Sequence, residues 1–458
     1  MPSQSSLATP LDSATVDALR RTLRGDLLQL GDPGYDPARR VFNAMIDRRP
    51  VLIARPVDAD DVRRTILFVR EQGLPLSIKG GGHNVAGSAV RDGGLMLDLS
   101  SMKGIWVDAE RRVAVAEAGL LLGDLDRATQ AAGLATPLGV VSVTGIAGLT
   151  LGGGIGWLNG KHGLACDNVL AADVVTADGE LRRASAQANP DLYWAIRGGS
   201  GNFGVVTSFT YRLHPVGPVL AGGLIFPPEQ AREALSAYDA FARTCPDELS
   251  TTAGVGVDAE GRPTASVGVC WCGPLDEGER VLRPLRALGP TMDTVGPMDY
   301  VALQTDKDAA FPAGQLHYWK SSYLTSLSDE TIDVLFRFAA EQPSAASGIG
   351  LQRMHGAAAR VDPAATAFPY RRAQHELLIL SQWVDPAETE RNVAWTRSFF
   401  DAVRPLAARG VYVNDLGEEG EDRVREAFGE NYARLAAVKA TYDPTNLFRA
   451  NQNITPAT

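Results

Sequence analysis

The 458-residue chain is long enough for two or three domains, at roughly 150 residues per domain. Hydrophobic residues make up 45% and charged residues 21%, which is typical of a globular protein and not of a disordered chain. The net charge of −10 argues against nucleic acid as a partner. No apolar stretch reaches the roughly 18 residues of a membrane span, and the N-terminus lacks a signal-like apolar run.

The cysteines predict a reducing compartment, and we expect the cytoplasm. Four cysteines are too few for a disulfide scaffold in a chain of this length. Cys270 and Cys272 lack the two-residue spacing of zinc and redox pairs, so small buried side chains are the simpler interpretation. We therefore predict no metal site.

The first 217 residues contain alternating helix and strand patterns. Val16, Leu19 and Leu23 repeat at helical spacing, and residues 58–72 predict a second helix that stops at Gly73. A short strand at 76–78 then leads directly into three glycines. Further strands are predicted at 95–99, 113–117 and 204–213, with a hairpin over 169–181 and a glycine-dense stretch over 139–156 that contains too many glycines for a regular helix.

Residues 218–410 show a different pattern, in which strands alternate with helices. This pattern predicts an antiparallel sheet covered by helices, and hence an α+β fold overall. The predicted strands are 249–257, 265–272, 349–354 and 376–384, and the predicted helices are 229–243, 276–288, 328–341 and 387–403. The last forty residues return to turn-rich polar sequence.

Two glycine-rich segments are candidates for ligand binding. Gly80, Gly81 and Gly82 follow a strand, and their N–H groups can form a nest for a pyrophosphate, with His83 directly beside it. The alternative is a tight turn followed by a surface histidine. The segment 139–156 can pack against a flat apolar ligand, or it can be a bulged strand pair in a core.

Several common catalytic motifs are absent or lie in the wrong context. The segment 199–204 matches GxGxxG, but a helix precedes it and a strand follows it, so the Rossmann interpretation fails. The sequence has no Walker A, GxSxG or HExxH motif. Nucleotide hydrolysis, serine hydrolysis and zinc peptidase chemistry therefore have no support.

Taken together, the segments resemble the FAD-linked oxidases of the vanillyl-alcohol-oxidase/p-cresol-methylhydroxylase superfamily, in the berberine-bridge-enzyme-like branch. The matching stretches are 55–84, which ends in the triple-glycine loop and His83, then 139–168 and 197–207. The C-terminal stretch 442–454, beginning Tyr442-Asp443-Pro444-Thr445-Asn446, resembles the family's last signature. These ordered matches span most of the chain.

The resemblance implies a two-lobed FAD-binding domain of the PCMH type that is split in sequence. Residues 1–46 would be its N-terminal helical segment, 47–217 its main part, 218–410 the substrate domain, and 411–458 a C-terminal segment that returns to the FAD domain. The family's 8α-histidyl bond to FAD falls on His83. Val141 occupies the place of the family's second, cysteinyl link, so the resemblance implies a monocovalent flavin. The implied FAD-binding residues are His83, Gly80, Gly81, Gly82, Asn84, Ser88, Val143, Thr144, Gly145, Gly148, Gly152, Gly153, Asn168, Gly204, Val206, Asn414, Asn451 and Gln452.

Tyr412 and Lys320 are the predicted catalytic residues. Tyr412 lies in a stretch that contributes to active sites in similar enzymes. As a base it would need a nearby cation, because a phenol has an ordinary pKa near 10. Lys320 is the candidate for that cation or for a substrate contact, and the alternative is a solvated lysine at a strand end.

The predicted function is an FAD-dependent oxidase. It would take a hydride from a CH–OH or CH–NH group of a small molecule, with O₂ as the acceptor and H₂O₂ as a product. One alternative is a flavin dehydrogenase or an oxidative cyclase of natural-product biosynthesis. A second alternative is a flavin-binding protein without turnover.

Overall fold

A computed structural model describes residues 11–372 and 374–458, so the first ten residues of the predicted 1–46 segment lie outside the described residues. The predicted α+β class is confirmed, with two smaller sheets in the first half of the chain and one large sheet in the second. None of the helices in the described ranges is both long and apolar enough to cross a membrane.

The first half builds two sheets around a shared core. Its strands are β1 (Asp26–Leu28), β2 (Leu52–Arg55), β3 (Leu76–Lys79), β4 (Leu95–Asp98), β5 (Ile105–Asp108), β6 (Val113–Glu117), β7 (Leu134–Ala135), β8 (Val169–Val175), β9 (Leu181–Ser185), β10 (Val205–Arg212) and β11 (His214–Pro215). The first sheet has the order β1-β2-β4-β3, with β2 and β3 parallel to β4, and the second is antiparallel in the order β5-β6-β10-β8-β9. Strands β7 and β11 pair separately.

The first half also contains seven α-helices in the described residues. They are α1 (Ser13–Thr22), α2 (Tyr35–Arg39), α3 (Ala59–Gln72), α4 (Leu122–Gln130), α5 (Ile146–Leu151), α6 (Asn159–His162) and α7 (Pro190–Ala195). Of these, α1, α3, α4 and α7 match the sequence pattern. In α3 the Asp58 carboxylate caps the first turn by accepting the Asp61 N–H, and Gly73 ends the helix in the left-handed conformation. The apolar face of α3 is fully buried in the core of this half.

The second half forms a single antiparallel sheet. Its strands are β12 (Val219–Phe226), β13 (Leu249–Val257), β14 (Pro263–Trp271), β15 (Met292–Asp293), β16 (Gly296–Met298), β17 (Leu316–Leu324), β18 (Gly348–Met354) and β19 (Gln374–Trp383). The order is β15-β12-β14-β13-β18-β19-β17, and β16 also pairs with β12. The helices between or after these strands are α8 (Pro228–Ala242), α9 (Leu275–Arg286), α10 (Tyr300–Thr305), α11 (Asp329–Ala340), α12 (Gly356–Arg360) and α13 (Thr389–Val403).

Strand alternation divides this sheet into two faces with different partners. Leu351, Leu377 and Ile379 point into the core that α8, α11 and α13 cover. Residues one position away, such as Gln352 and Leu378, point to the opposite face, toward the first half of the chain. The sheet therefore contributes one face to its own core and the other to the space between the two halves.

The C-terminal segment folds back onto the first half through α14 (Glu421–Phe428) and α15 (Tyr432–Tyr442). The Lys439 ammonium is fully buried and donates to the Asp443 carboxylate at 2.7 Å, to the Asn202 carbonyl and to the Phe448 carbonyl. Asp443 in turn accepts the N–H groups of Leu447 and Phe448. These bonds tie the terminal signature to the 197–204 loop.

Several elements differ from the sequence prediction. The last forty residues, predicted to be turn-rich, contain helices α14 and α15. Strands β12 and β17 were not predicted, because β17 is buried along most of its length and β12 shows no regular alternation of buried and exposed residues. The glycine-dense stretch contains a six-residue helix, α5, because its apolar residues Ile146, Ala147 and Leu151 are buried at helical spacing. Tertiary packing thus overrides the weak intrinsic propensity of this glycine-rich sequence.

Candidate functional site

A cavity of about 530 Å³ lies between the two halves of the chain. One wall consists of the two glycine-rich segments together with the 200–206 loop, and the opposite wall is the free face of the large sheet. The C-terminal segment closes one side through Tyr412, Asn414 and Asp415. Most of the lining is apolar, as is usual for a cofactor or small-molecule site.

The two glycine-rich segments cross each other at Gly81 and Gly145. A Cβ atom on either glycine would overlap the backbone nitrogen of the other, so only two glycines permit this approach. The crossing brings the triple-glycine loop and the N-terminus of α5 to the same cavity. The two segments that the sequence singled out therefore form one binding surface.

His83 lies at this crossing as a neutral, unpartnered imidazole. Its ring stacks on Phe42 with centroids 4.1 Å apart, and Phe42 also stacks on His317. Burial lowers the pKa of His83 to about 4. Its Nε2 atom is buried and has no hydrogen-bond partner among the described residues. A neutral ring keeps a lone pair available for a bond to carbon.

The Tyr412 hydroxyl oxygen accepts three hydrogen bonds inside the cavity wall. The donors are the N–H of Gly154 at 3.0 Å, the N–H of Ile155 at 3.3 Å and the Asn414 side-chain amide at 2.9 Å. Burial, together with the nearby Asp415, raises the pKa of Tyr412, which is the opposite of the lowered pKa expected for a base. At neutral pH the phenol therefore keeps its proton, which is free to be donated.

Lys320 does not line the cavity. It lies in the middle of β17, where strand alternation sends its side chain to the helix-covered face, over the Phe400 ring at 4.5 Å. There it pairs with Glu419. This geometry supports neither a cation beside Tyr412 nor a solvated strand-end lysine, because the side chain is buried and already neutralised.

Most of the other predicted binding residues line the same cavity. They are Gly80, Gly81, Gly82, His83, Asn84, Ser88, Thr144, Gly145, Gly148, Gly204, Val206, Asn414, Asn451 and Gln452, and Val141 lines it as well. Asn84 donates to the Asn414 carbonyl at 3.0 Å, and the Asn451 amide donates to the Gly201 carbonyl at 2.8 Å.

Four predicted binding residues lie outside the lining. Val143 is 40% exposed on the surface. Asn168 is buried, donates to the carbonyls of His162 and Leu164 and faces the His214 ring. Gly152 and Gly153 support the site from behind: a Cβ on Gly152 would overlap Asn414 Oδ1, and one on Gly153 would press on the Phe368 ring.

A pair of carboxyl groups beside the cavity, Asp415 and Glu376, was not predicted from the sequence. Asp415 lines the cavity, and its carboxyl group lies close to that of Glu376 on β19. Glu376 also accepts a hydrogen bond from the Ser321 hydroxyl at 2.6 Å. Burial and the mutual repulsion raise the pKa of Glu376 well above its ordinary value, and burial raises that of Asp415 to about 7. The strand pattern at 376–384 placed Glu376 in a sheet but gave no sign of its partner.

The cavity fits an FAD. Backbone N–H groups of the glycine crossing are suited to a pyrophosphate, and the apolar lining suits a flat ring system. The unpartnered His83 nitrogen lies beside that surface.

Comparison with known families supports this assignment. Residues 50–185 match a family described as FAD binding domain, and residues 411–455 match one described as Berberine and berberine like. The chain is 33% identical over 471 residues to the (R)-6-hydroxynicotine oxidase of Paenarthrobacter nicotinovorans, covering 99% of each chain. It is also 33% identical over 444 residues to an FAD-linked oxidoreductase of Bacillus subtilis, covering 95% of this chain and 97% of the relative.

Solved structures give the same fold. The 6-hydroxy-D-nicotine oxidase of Arthrobacter nicotinovorans superposes with a TM-score of 0.87 at 31% identity, covering 98% of this chain and 100% of that one. A berberine-bridge-enzyme-like protein of Physcomitrella patens superposes with a TM-score of 0.87 at 23% identity, over 97% of this chain and 99% of the other, which shows the shared fold.

Proposed function

Because the chain belongs to the berberine-bridge-enzyme-like family of FAD-linked oxidoreductases, we propose that it oxidises a CH–OH or CH–NH group of a small molecule and passes the electrons to O₂, forming H₂O₂. Bound FAD supplies the hydride-accepting nitrogen, N5. The four free cysteines support our expectation that the enzyme acts in a reducing compartment, the cytoplasm.

One observation carries this proposal. The glycine crossing, His83 and the 412–415 turn all face one cavity, whose remaining wall is the free face of the large sheet. A cofactor held by the glycine crossing would therefore meet a substrate held by the sheet. Such convergence positions two reactants at contact distance, which is the protein's main share of this chemistry.

His83 is the residue that would hold the cofactor permanently. Its neutral ring and its unpartnered nitrogen suit a bond to the 8α carbon of the flavin. Val141 lines the cavity at the place where the family resemblance puts a cysteine, and a valine cannot form that second bond. We therefore propose a single covalent link.

The carboxyl pair is our candidate for the proton acceptor, in place of Tyr412. Oxidation of CH–OH releases the hydroxyl proton, and a base within reach lowers that barrier. When the Asp415 carboxyl is ionised, its oxygen can accept the substrate proton. Asp415 is the member of the pair that lines the cavity. Tyr412 keeps its proton and would donate a hydrogen bond to the substrate oxygen or nitrogen.

The test combines anaerobic reduction with reoxidation. Purified holoenzyme is mixed without oxygen with a panel of alcohols, saccharides and secondary and tertiary amines that includes 6-hydroxynicotine, the compound in the name of the Paenarthrobacter relative. Bleaching of the flavin absorbance identifies a substrate, and mixing with air should restore the colour within seconds and release H₂O₂. Reduced flavin that persists for minutes in air would show a dehydrogenase instead.

A further inference from the structure

Lys307 is a half-buried cation at the cavity wall that has no ionic or hydrogen-bond partner among the described residues. It lies in the turn after α10, on the substrate-domain side, and its side chain lines the cavity. Among the described residues, no carboxylate lies within ion-pair distance of its ammonium, and no hydrogen bond uses its three N–H donors. The carboxylate of the neighbouring Asp308 instead accepts hydrogen bonds from the Ser142 backbone N–H, at 2.8 Å, and from the Ser142 hydroxyl.

The surrounding protein stabilises the charge of this half-buried ammonium only in part. The Lys307 ammonium lies 5.0 Å from the centroid of the Trp157 ring, in a cation–π contact. Burial still lowers the pKa of Lys307, so its charged form lacks the stabilisation that water would supply. An anion placed against the ammonium would restore that stabilisation. The fold thus holds a binding group whose partner must come from outside the chain.

The remaining lining indicates that this partner belongs to the substrate. Lys307 is the only charged side chain that residues 218–410 contribute to the described cavity lining, and its neighbours there include Ala310 and Phe311. The glycine crossing that suits the cofactor belongs to the first half of the chain, whereas Lys307 comes from the second half and lies where the two meet, near Trp157 and next to the Asp308 that binds Ser142. Asp415, the other charged group of the lining, comes from the C-terminal segment and is engaged with Glu376.

We propose that Lys307 binds an anionic oxygen of the substrate, which makes carboxylate- or phenolate-bearing molecules the preferred substrate class. This inference rests on the proposed function for the identity of the cavity. The ammonium supplies up to three charge-assisted hydrogen bonds to such an oxygen. The apolar residues beside it would contact an aromatic or aliphatic body, and the oxidised carbon would lie toward the glycine crossing.

Binding of two matched probes tests the proposal without turnover. Benzoate and its neutral counterpart benzamide are titrated into oxidised holoenzyme at pH 7, and the dissociation constants are read from the change in the flavin visible spectrum. We expect benzoate to bind wild type about 10- to 100-fold more tightly than benzamide, as expected for hydrogen bonds to a charged group. In Lys307→Met and Lys307→Gln this preference should disappear.

Lys103→Met is the matched control, because it removes one positive charge from a surface lysine paired with Asp124 outside the cavity. It should keep the benzoate preference. Two neutral variants are used so that a folding defect in one leaves the other informative. The proposal is wrong if benzoate and benzamide bind wild type equally, or if the preference survives removal of the ammonium.

Two further outcomes separate this inference from its premise. If the neutral variants lower the flavin midpoint potential while the benzoate preference remains, the charge serves the cofactor and the proposal is overturned. If the benzoate preference depends on Lys307 but no compound reduces the flavin, the anion site stands and the proposed oxidase function fails.

Discussion

The buried carboxyl groups of Glu376 and Asp415 lie close together beside the cavity, although one belongs to the large sheet and the other to the C-terminal segment. Strand alternation on β19 places Glu376 on the same face as Leu378 and Leu380, which line the cavity. The pair therefore joins the two parts of the chain at the point where a substrate proton would leave.

This pair predicts the pH dependence of the enzyme. A proton acceptor works only when ionised, and the pKa of Asp415 is raised to about 7, so kcat/KM should rise tenfold per pH unit below about 7 and level off above it. Asp415→Asn should lower kcat/KM by about 10²- to 10⁴-fold and remove this rising limb. Glu418→Gln, at an exposed carboxylate three residues further on, is the control and should keep both. An unchanged pH profile in Asp415→Asn would exclude the pair as the acceptor.

The close approach of Gly152 to Asn414 predicts a second effect. A methyl group at Gly152 would overlap Asn414 Oδ1 and displace the amide that hydrogen-bonds the Tyr412 hydroxyl. Gly152→Ala should therefore lower kcat by about tenfold or more, because small misplacements of positioning groups are costly. Gly217→Ala is the control, since a Cβ there meets nothing within 4 Å. The measurement is kcat from steady-state kinetics of both variants. Equal kcat values for Gly152→Ala and Gly217→Ala would contradict the positioning role of Asn414.

The Lys439–Asp443 ion pair predicts a large effect on stability. Both side chains are fully buried, so Lys439→Met leaves the Asp443 carboxylate without its cation. We expect the free energy of unfolding to fall by about 3–5 kcal/mol, measured by urea denaturation. Arg20→Met removes an exposed pair with Asp17 and should change it little. A loss in Lys439→Met no larger than that of Arg20→Met would show that the pair does not anchor the C-terminal segment.

Local patterns predicted much of this fold. The helical spacing of the apolar residues Val62, Ile66 and Val69 predicted α3. Strand-like sequence patterns predicted β13, β14, β18 and β19 of the large sheet. The triple glycine before His83 was predicted to form a nest, which needs only neighbouring residues, and in the structure it lines the cavity.

The remaining features depend on contacts between distant segments. Lys320 was predicted to act together with Tyr412. Because β17 was not predicted as a strand, the sequence could not show which face of the sheet carries the Lys320 side chain. Asp415 and Glu376 are 39 positions apart in the sequence, and only the packing of the C-terminal segment against β19 brings them together. Their raised pKa values follow from that burial and have no sequence signature.

The most direct test of the account is mass spectrometry of the tryptic peptide that spans residues 80–91 and contains His83. The account predicts that this peptide from wild type carries the full mass of FAD after acid denaturation. It also predicts that His83→Ala releases its flavin, whereas His317→Ala, on the other side of the Phe42 ring, keeps the modified peptide. An unmodified peptide from wild type, with all flavin in the acid supernatant, would contradict the covalent link at this cavity.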